Sequence, residues 1–178
     1  VLNTFPSSIQ MLPSPLVMAE IARMYDESTW SGFGVTQELL DFSKHGHERL
    51  ASVVDSSRMS YIAGCNRPTK CGVLDWNRLD ESAGYAVTLE GDGTVAHSLS
   101  FLGEGSERVA AYFVDCEHGA LPNNSEVIGG TLQLLAGGPC SLPEKPPKPR
   151  GLADAAALED ARRVRQIREE EQLCRLRN

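Results

Sequence analysis

The pattern of apolar residues changes twice along this chain. In the first third, apolar positions recur every three or four residues. From about residue 60 they recur at every second position. Beyond residue 142 a proline-dense run leads into a segment rich in Ala, Arg, Glu and Leu. Each period selects its own element: spacing of three to four puts side chains on one helix face, and spacing of two puts them on one strand face.

Leu16, Ala19, Ile21, Ala22 and Met24 predict a helix from about Pro15 to Tyr25, with Ser14 as N-cap and Pro15 in the first turn. Trp30 to Gly34 breaks it. Thr36 caps a second helix, for which Leu39, Leu40, Phe42, Leu50, Val53 and Val54 supply the buried side. His45-Gly46-His47 is the expected break within it. Upstream, Pro6 and Pro13 forbid a continuous helix, so residues 1–14 read as an extended arm.

The strand region begins with Tyr85, Val87 and Leu89, alternating with Ala86, Thr88 and Glu90. Val95, His97, Leu99 and Phe101 form the next alternating set, Val109 to Cys116 the third, and Val127 to Ala136 a fourth strand kinked at Gly129-Gly130. A three-residue loop at 91–93, with Gly93 left-handed, would pair Leu89 with Val95, Val87 with His97 and Tyr85 with Leu99. A five-residue loop at 103–107 would set Phe101 against Val109, Leu99 against Ala111, His97 against Phe113 and Val95 against Asp115. Both registers join like faces, as one buried face requires. The expected fold is α+β, with N-terminal helices packed on an antiparallel β-meander over residues 15–142. A Pro-rich spacer (143–151) and a long C-terminal helix (152–178) follow.

Proline rings remove N–H donors and fix φ, so the spacer is expected to be extended and semi-rigid. Residues 152–178 contain neither Gly nor Pro. As a helix they would span about 40 Å. Their apolar positions form a thin seam, too narrow to fold alone. Ala157, Val164, Ile167, Leu173, Cys174 and Leu176 are therefore expected to bind a partner subunit.

Charge sharpens this division. The net charge is −7. Residues 1–142 hold 8 Lys/Arg against 17 Asp/Glu, whereas residues 143–178 hold 9 against 7. An acidic body argues against nucleic acid as a partner. No apolar run reaches the roughly 20 residues of a membrane helix. The chain opens on Val1 rather than Met, which accords with removal of a leader. An organellar location, mitochondrion or plastid, is expected, with secretion as the alternative.

The predicted register carries the sharpest chemical idea. It places His97 on the apolar face between Val87 and Phe113, with Asp115 one diagonal step away and Tyr85 on the same face. A histidine oriented by a carboxylate can act as a general base, so Tyr85, His97 and Asp115 are the candidate catalytic set. Cys65 and Cys71 bracket a loop short enough for a disulfide in an oxidising compartment. A zinc site on Cys65, Cys71, Cys116 and His118 would lack the usual close cysteine spacing, and no metal or cofactor is expected. Asn123-Asn124-Ser125 is a glycosylation sequon, relevant only to a secreted protein. No phosphate-binding loop, nucleophile-elbow, dinucleotide or zinc-protease motif is present. These features predict a non-catalytic accessory subunit of a multiprotein assembly, docking through its N-terminal arm and C-terminal helix. The alternatives are a small acid–base enzyme or binding protein around His97, and a secreted disulfide-stabilised protein.

Overall fold

The computed structural model describes residues 6–100 and 108–148. The predicted C-terminal helix, the end of the spacer, residues 1–5 and Phe101 lie outside the described residues. Two compact units divide the described residues, 6–59 with 98–100 and 108–109, and 60–97 with 110–148. Among the described residues, no helix is long and apolar enough to cross a membrane.

The first unit is helical. Pro6 opens a five-residue helix, α1 (Pro6–Gln10), inside the arm that the sequence reads as extended. Ile9 is buried, and its carbonyl accepts a 3.0 Å hydrogen bond from the buried Ser43 hydroxyl. The helix expected over 15–25 forms only as a 3₁₀ turn at Ala19–Tyr25, followed by a second at Glu27–Trp30. Asp26 accepts from Ser28 N–H, and Trp30 Nε1–H donates to the Met24 carbonyl, which fixes the chain reversal. Ile21, Met24, Tyr25, Val35 and Leu40 make the core of this unit.

Thr36 caps α2 (Gln37–Ala51), its side chain accepting from Leu39 N–H. The helix runs through Gly46 without a break, because backbone hydrogen bonding continues where the side chain is absent. Its buried face is narrower than predicted: Leu40 and Ser43 are buried, whereas Phe42 and Leu50 are exposed, as is Val53 beyond its end.

The second unit holds the strands, and its pairing differs from the predicted meander. β1 (Ser60–Gly64) and β4 (Ala110–Val114) run parallel, with Ser60 opposite Ala110 and Gly64 opposite Val114. β2 (Thr69–Val73) and β3 (Tyr85–Thr88) form a separate antiparallel pair, irregular between Lys70 and Gly72. Val95 to Ser100 is not a strand; His97–Leu99 is a single 3₁₀ turn. The expected 91–93 turn does form, with Gly93 at φ +93°, but it closes on a Gly91–Ala96 bridge rather than a Leu89–Val95 pair.

The predicted fourth strand is a helix, α3 (Ser125–Leu135). Asn124 caps it, accepting from the N–H groups of Glu126 and Val127. Gly130 lies against Leu142, which is buried as the chain returns and the Pro143 carbonyl accepts from Phe113 N–H. The opposite face of α3 exposes Ile128, Leu132 and Leu135. Residues 143–148 of the spacer carry no helix or strand.

Candidate acid–base site

β1 and β4 are both exposed at their first residue and buried at their last two. Parallel strands align their carboxyl ends, so Gly64 and Val114 lie side by side at the buried end. In open α/β sheets this end is where ligands bind. The chain leaving β4 reaches His118 within four residues, and the connection between β1 and β4 brings Asp92 to the same place.

Asp92 sits in a tight turn built by its own side chain. Oδ1 accepts from Val95 N–H at 2.7 Å and from Thr94 N–H at 3.0 Å. Those amides are spent on the carboxylate and are lost to a strand ladder starting at Val95. The turn is tied to neighbouring chain: Gly93 N–H donates to Thr69 Oγ1 at 2.8 Å, and Arg67 N–H to the Gly91 carbonyl at 3.1 Å.

Asp92 Oδ2 lies 2.9 Å from His118 Nδ1. The carboxylate side chain is 6% exposed and the imidazole 51%. Burial by itself would raise the Asp92 carboxyl, but the Val95 amide, the His118 ring and the Thr94 amide outweigh it. They hold the group below its ordinary value. An ionised carboxylate can only accept, so Nδ1 of His118 carries the proton and donates. In the neutral ring, Nε2 is then the basic nitrogen.

Two further groups close the site. A Cβ on Gly64 would run into the Cys116 carbonyl oxygen and come 2.7 Å from Asp92 Cβ, so only glycine allows the acid and the chain leading to His118 to meet here. The Gly64 carbonyl lies 2.8 Å from Nε2 of His97, which is buried and stacks at a tilt against Phe113 with ring centroids 5.1 Å apart. A carbonyl cannot donate, so Nε2 of His97 carries a proton.

The predicted set is distributed differently. His97 is buried beside Phe113 as expected. The exposed Asp115 accepts from Arg67 Nη1 at 2.7 Å and Asn66 Nδ2 at 3.2 Å. The Tyr85 hydroxyl donates to the Leu79 carbonyl at 2.7 Å, with the Lys70 ammonium 3.9 Å above its ring centroid. A buried acid that grips a histidine is Asp92, which the sequence reads as a turn residue, and its partner is His118, which the sequence considers only as a zinc ligand. A polar side chain between two glycines on a loop was the available signal.

Cys65 and Cys71 are buried free thiols rather than a disulfide. Cys65 Sγ is 3.1 Å from the Val114 carbonyl, and burial, reinforced by the charge of Asp115, pushes its thiol up to about 11. Among the described residues, no cluster of three or more His, Cys, Asp or Glu side chains is arranged to hold a metal ion.

The chain matches no family model, no curated protein and no solved structure.

Proposed function

We propose that His118, oriented by the ionised Asp92, is the general base and acid of an acyl-transfer enzyme, a hydrolase of esters or related acyl compounds. The observation that carries this reading is the 2.9 Å bond between a buried, ionised Asp92 and a half-exposed His118. A buried carboxylate on Nδ1 holds the imidazole in one tautomer and orientation and stabilises the imidazolium formed during turnover. Nε2 is left to take a proton from a hydroxyl nucleophile as its oxygen bonds to the acyl carbon. The same nitrogen returns that proton to the leaving group as the acyl bond breaks. Water, activated likewise, then releases the carboxylic acid. That second step applies to a side-chain hydroxyl; where the nucleophile is water itself, its attack and loss of the leaving group release the carboxylic acid directly.

Chain order and placement support the reading. The acid comes before the base; His118 follows the parallel strand β4, and Asp92, in the turn after the antiparallel β3, packs against the end of β1 at Gly64. That is the order in which α/β-type hydrolases present them, although the parallel is one of fold logic rather than of sequence. Hydrolysis of a p-nitrophenyl acyl ester by the full chain tests it. His118→Ala should lower the rate about 10²–10⁴-fold, the span of general acid–base catalysis, and Asp92→Asn should lower it too. Activity that survives His118→Ala would refute the assignment.

A second reading has its own observation, the exposed Ile128, Leu132 and Leu135 on α3. In this reading the chain is a non-catalytic accessory subunit of an organellar protein assembly. α3 then adds an apolar surface to those expected of the N-terminal arm and C-terminal helix. Native size in a gentle extract tests it: elution near the 19.3 kDa of the chain counts against membership.

A further inference from the structure

The segment carrying Asp92 is fastened at both ends, and the second fastening is made by a residue that the proposed chemistry does not use. His97 N–H donates to the Glu90 carbonyl at 2.9 Å, closing residues 90–97 into a loop. Its ring then reaches across to β1, where Nε2 meets the Gly64 carbonyl at 2.8 Å. Gly64 is the residue whose missing side chain lets Asp92 Cβ and the Cys116 carbonyl approach. His97 therefore binds the backbone position against which Asp92 and the Cys116 carbonyl, two residues before His118, are packed.

We infer that His97 is a positioning residue for the Asp92–His118 pair: by donating from Nε2 to the Gly64 carbonyl it holds the Asp92 turn at the end of β1, at the distance that keeps Asp92 Oδ2 on His118 Nδ1. Its functional meaning rests on the acyl-transfer reading, but the geometry does not. A buried imidazole whose proton satisfies a strand-end carbonyl is an expensive way to fill space, since an apolar ring would leave that carbonyl unpaired. The selected feature is the donor. Gln can place an amide N–H near the position of Nε2. Asn is polar but one methylene shorter and cannot. Leu fills the space and donates nothing.

The experiment compares His97→Gln, His97→Asn and His97→Leu in the full chain. The readout is the tautomer of His118, taken from the ¹⁵N NMR signals of its ring with no substrate present. Far-UV circular dichroism and thermal unfolding verify that each variant is folded. The wild type and His97→Gln should hold the Nδ1–H tautomer of His118. His97→Asn and His97→Leu, whichever is folded, should show a mixture of tautomers. If acyl-ester hydrolysis is detectable, the two variants should also lose rate while His97→Gln retains it. A folded His97→Asn or His97→Leu with an unchanged His118 tautomer overturns the inference, as does a folded His97→Gln that loses it. Failure of the acyl-transfer reading appears instead as a wild type with the Nδ1–H tautomer and no dependence of hydrolysis on His118.

Discussion

Asp92 and His118 are bonded to each other twice. The His118 backbone N–H donates to the Asp92 carbonyl at 2.9 Å, and the His118 ring meets the Asp92 carboxylate, also at 2.9 Å. Main chain and side chain thus fix the same pair. The imidazole cannot turn away without leaving a buried carboxylate one partner short.

Replacing Asp92 should be costly and pH-dependent. Asp92→Ala leaves the Val95 and Thr94 amides and the His118 ring without their acceptor. It should destabilise the fold by about 1.5–3 kcal/mol at neutral pH, the range for hydrogen bonds to a charged group. Because the folded carboxyl lies below its ordinary 3.8, its stabilisation is complete at pH values above 3.8 and disappears as pH falls through the folded value. Urea midpoints of wild type and Asp92→Asn should differ at pH 6 and converge only as pH falls through the folded value, which lies below 3.8. A gap that stays constant down the acid range would contradict the ionised assignment.

Glycines at three positions should respond in two opposite directions. Gly64→Ala drives a methyl into backbone at the Cys116 carbonyl, and overpacking of this kind costs about 1–3 kcal/mol. Gly129→Ala on α3 and Gly46→Ala on α2 place a methyl in open space, with nothing within 4 Å. Each should gain about 0.5–1 kcal/mol from helix propensity. Thermal midpoints of the three variants check both signs.

Thiol labelling should separate the cysteines. Cys65 is fully buried with its thiol pushed up to about 11, so at pH 8 it is almost entirely protonated and unreactive. Cys140 is partly exposed. Timed alkylation followed by peptide mass spectrometry should find Cys140 modified well before Cys65. Early modification of Cys65 would mean that the β1–β4 end opens readily.

The cap of α3 gives a separate measure of local stability. Asn124→Ala removes the acceptor of two first-turn amides and should cost about 1 kcal/mol. Asn124→Asp should retain most of that stability, because a carboxylate accepts the same bonds and favours the positive helix end. Equilibrium unfolding in urea distinguishes the two substitutions.

What the chain dictates by itself is local. The threonine at 36 followed by apolar residues at helical spacing sets the start of α2, and the glycine at 93 sets a turn needing positive φ. Strand period places β3 and β4, whereas His97 reaches Phe113 from a 3₁₀ turn rather than from the strand that period predicts. These follow from bonds and faces reachable within a few residues. The misread elements show the limit of that reach. Val127 to Ala136 alternates well enough to pass for a strand, yet the Asn124 cap and the fit of Gly130 against Leu142 make it a helix. Period two identifies a strand's faces but not its neighbour: β4 pairs in parallel with β1, about fifty residues upstream, a choice settled by packing over the whole unit. The site follows the same rule. Asp92 and His118 are 26 residues apart, and nothing local marks them as partners. They meet because two parallel strands end side by side, because Gly64 carries no side chain there, and because a buried carboxylate must find donors wherever the fold brings them.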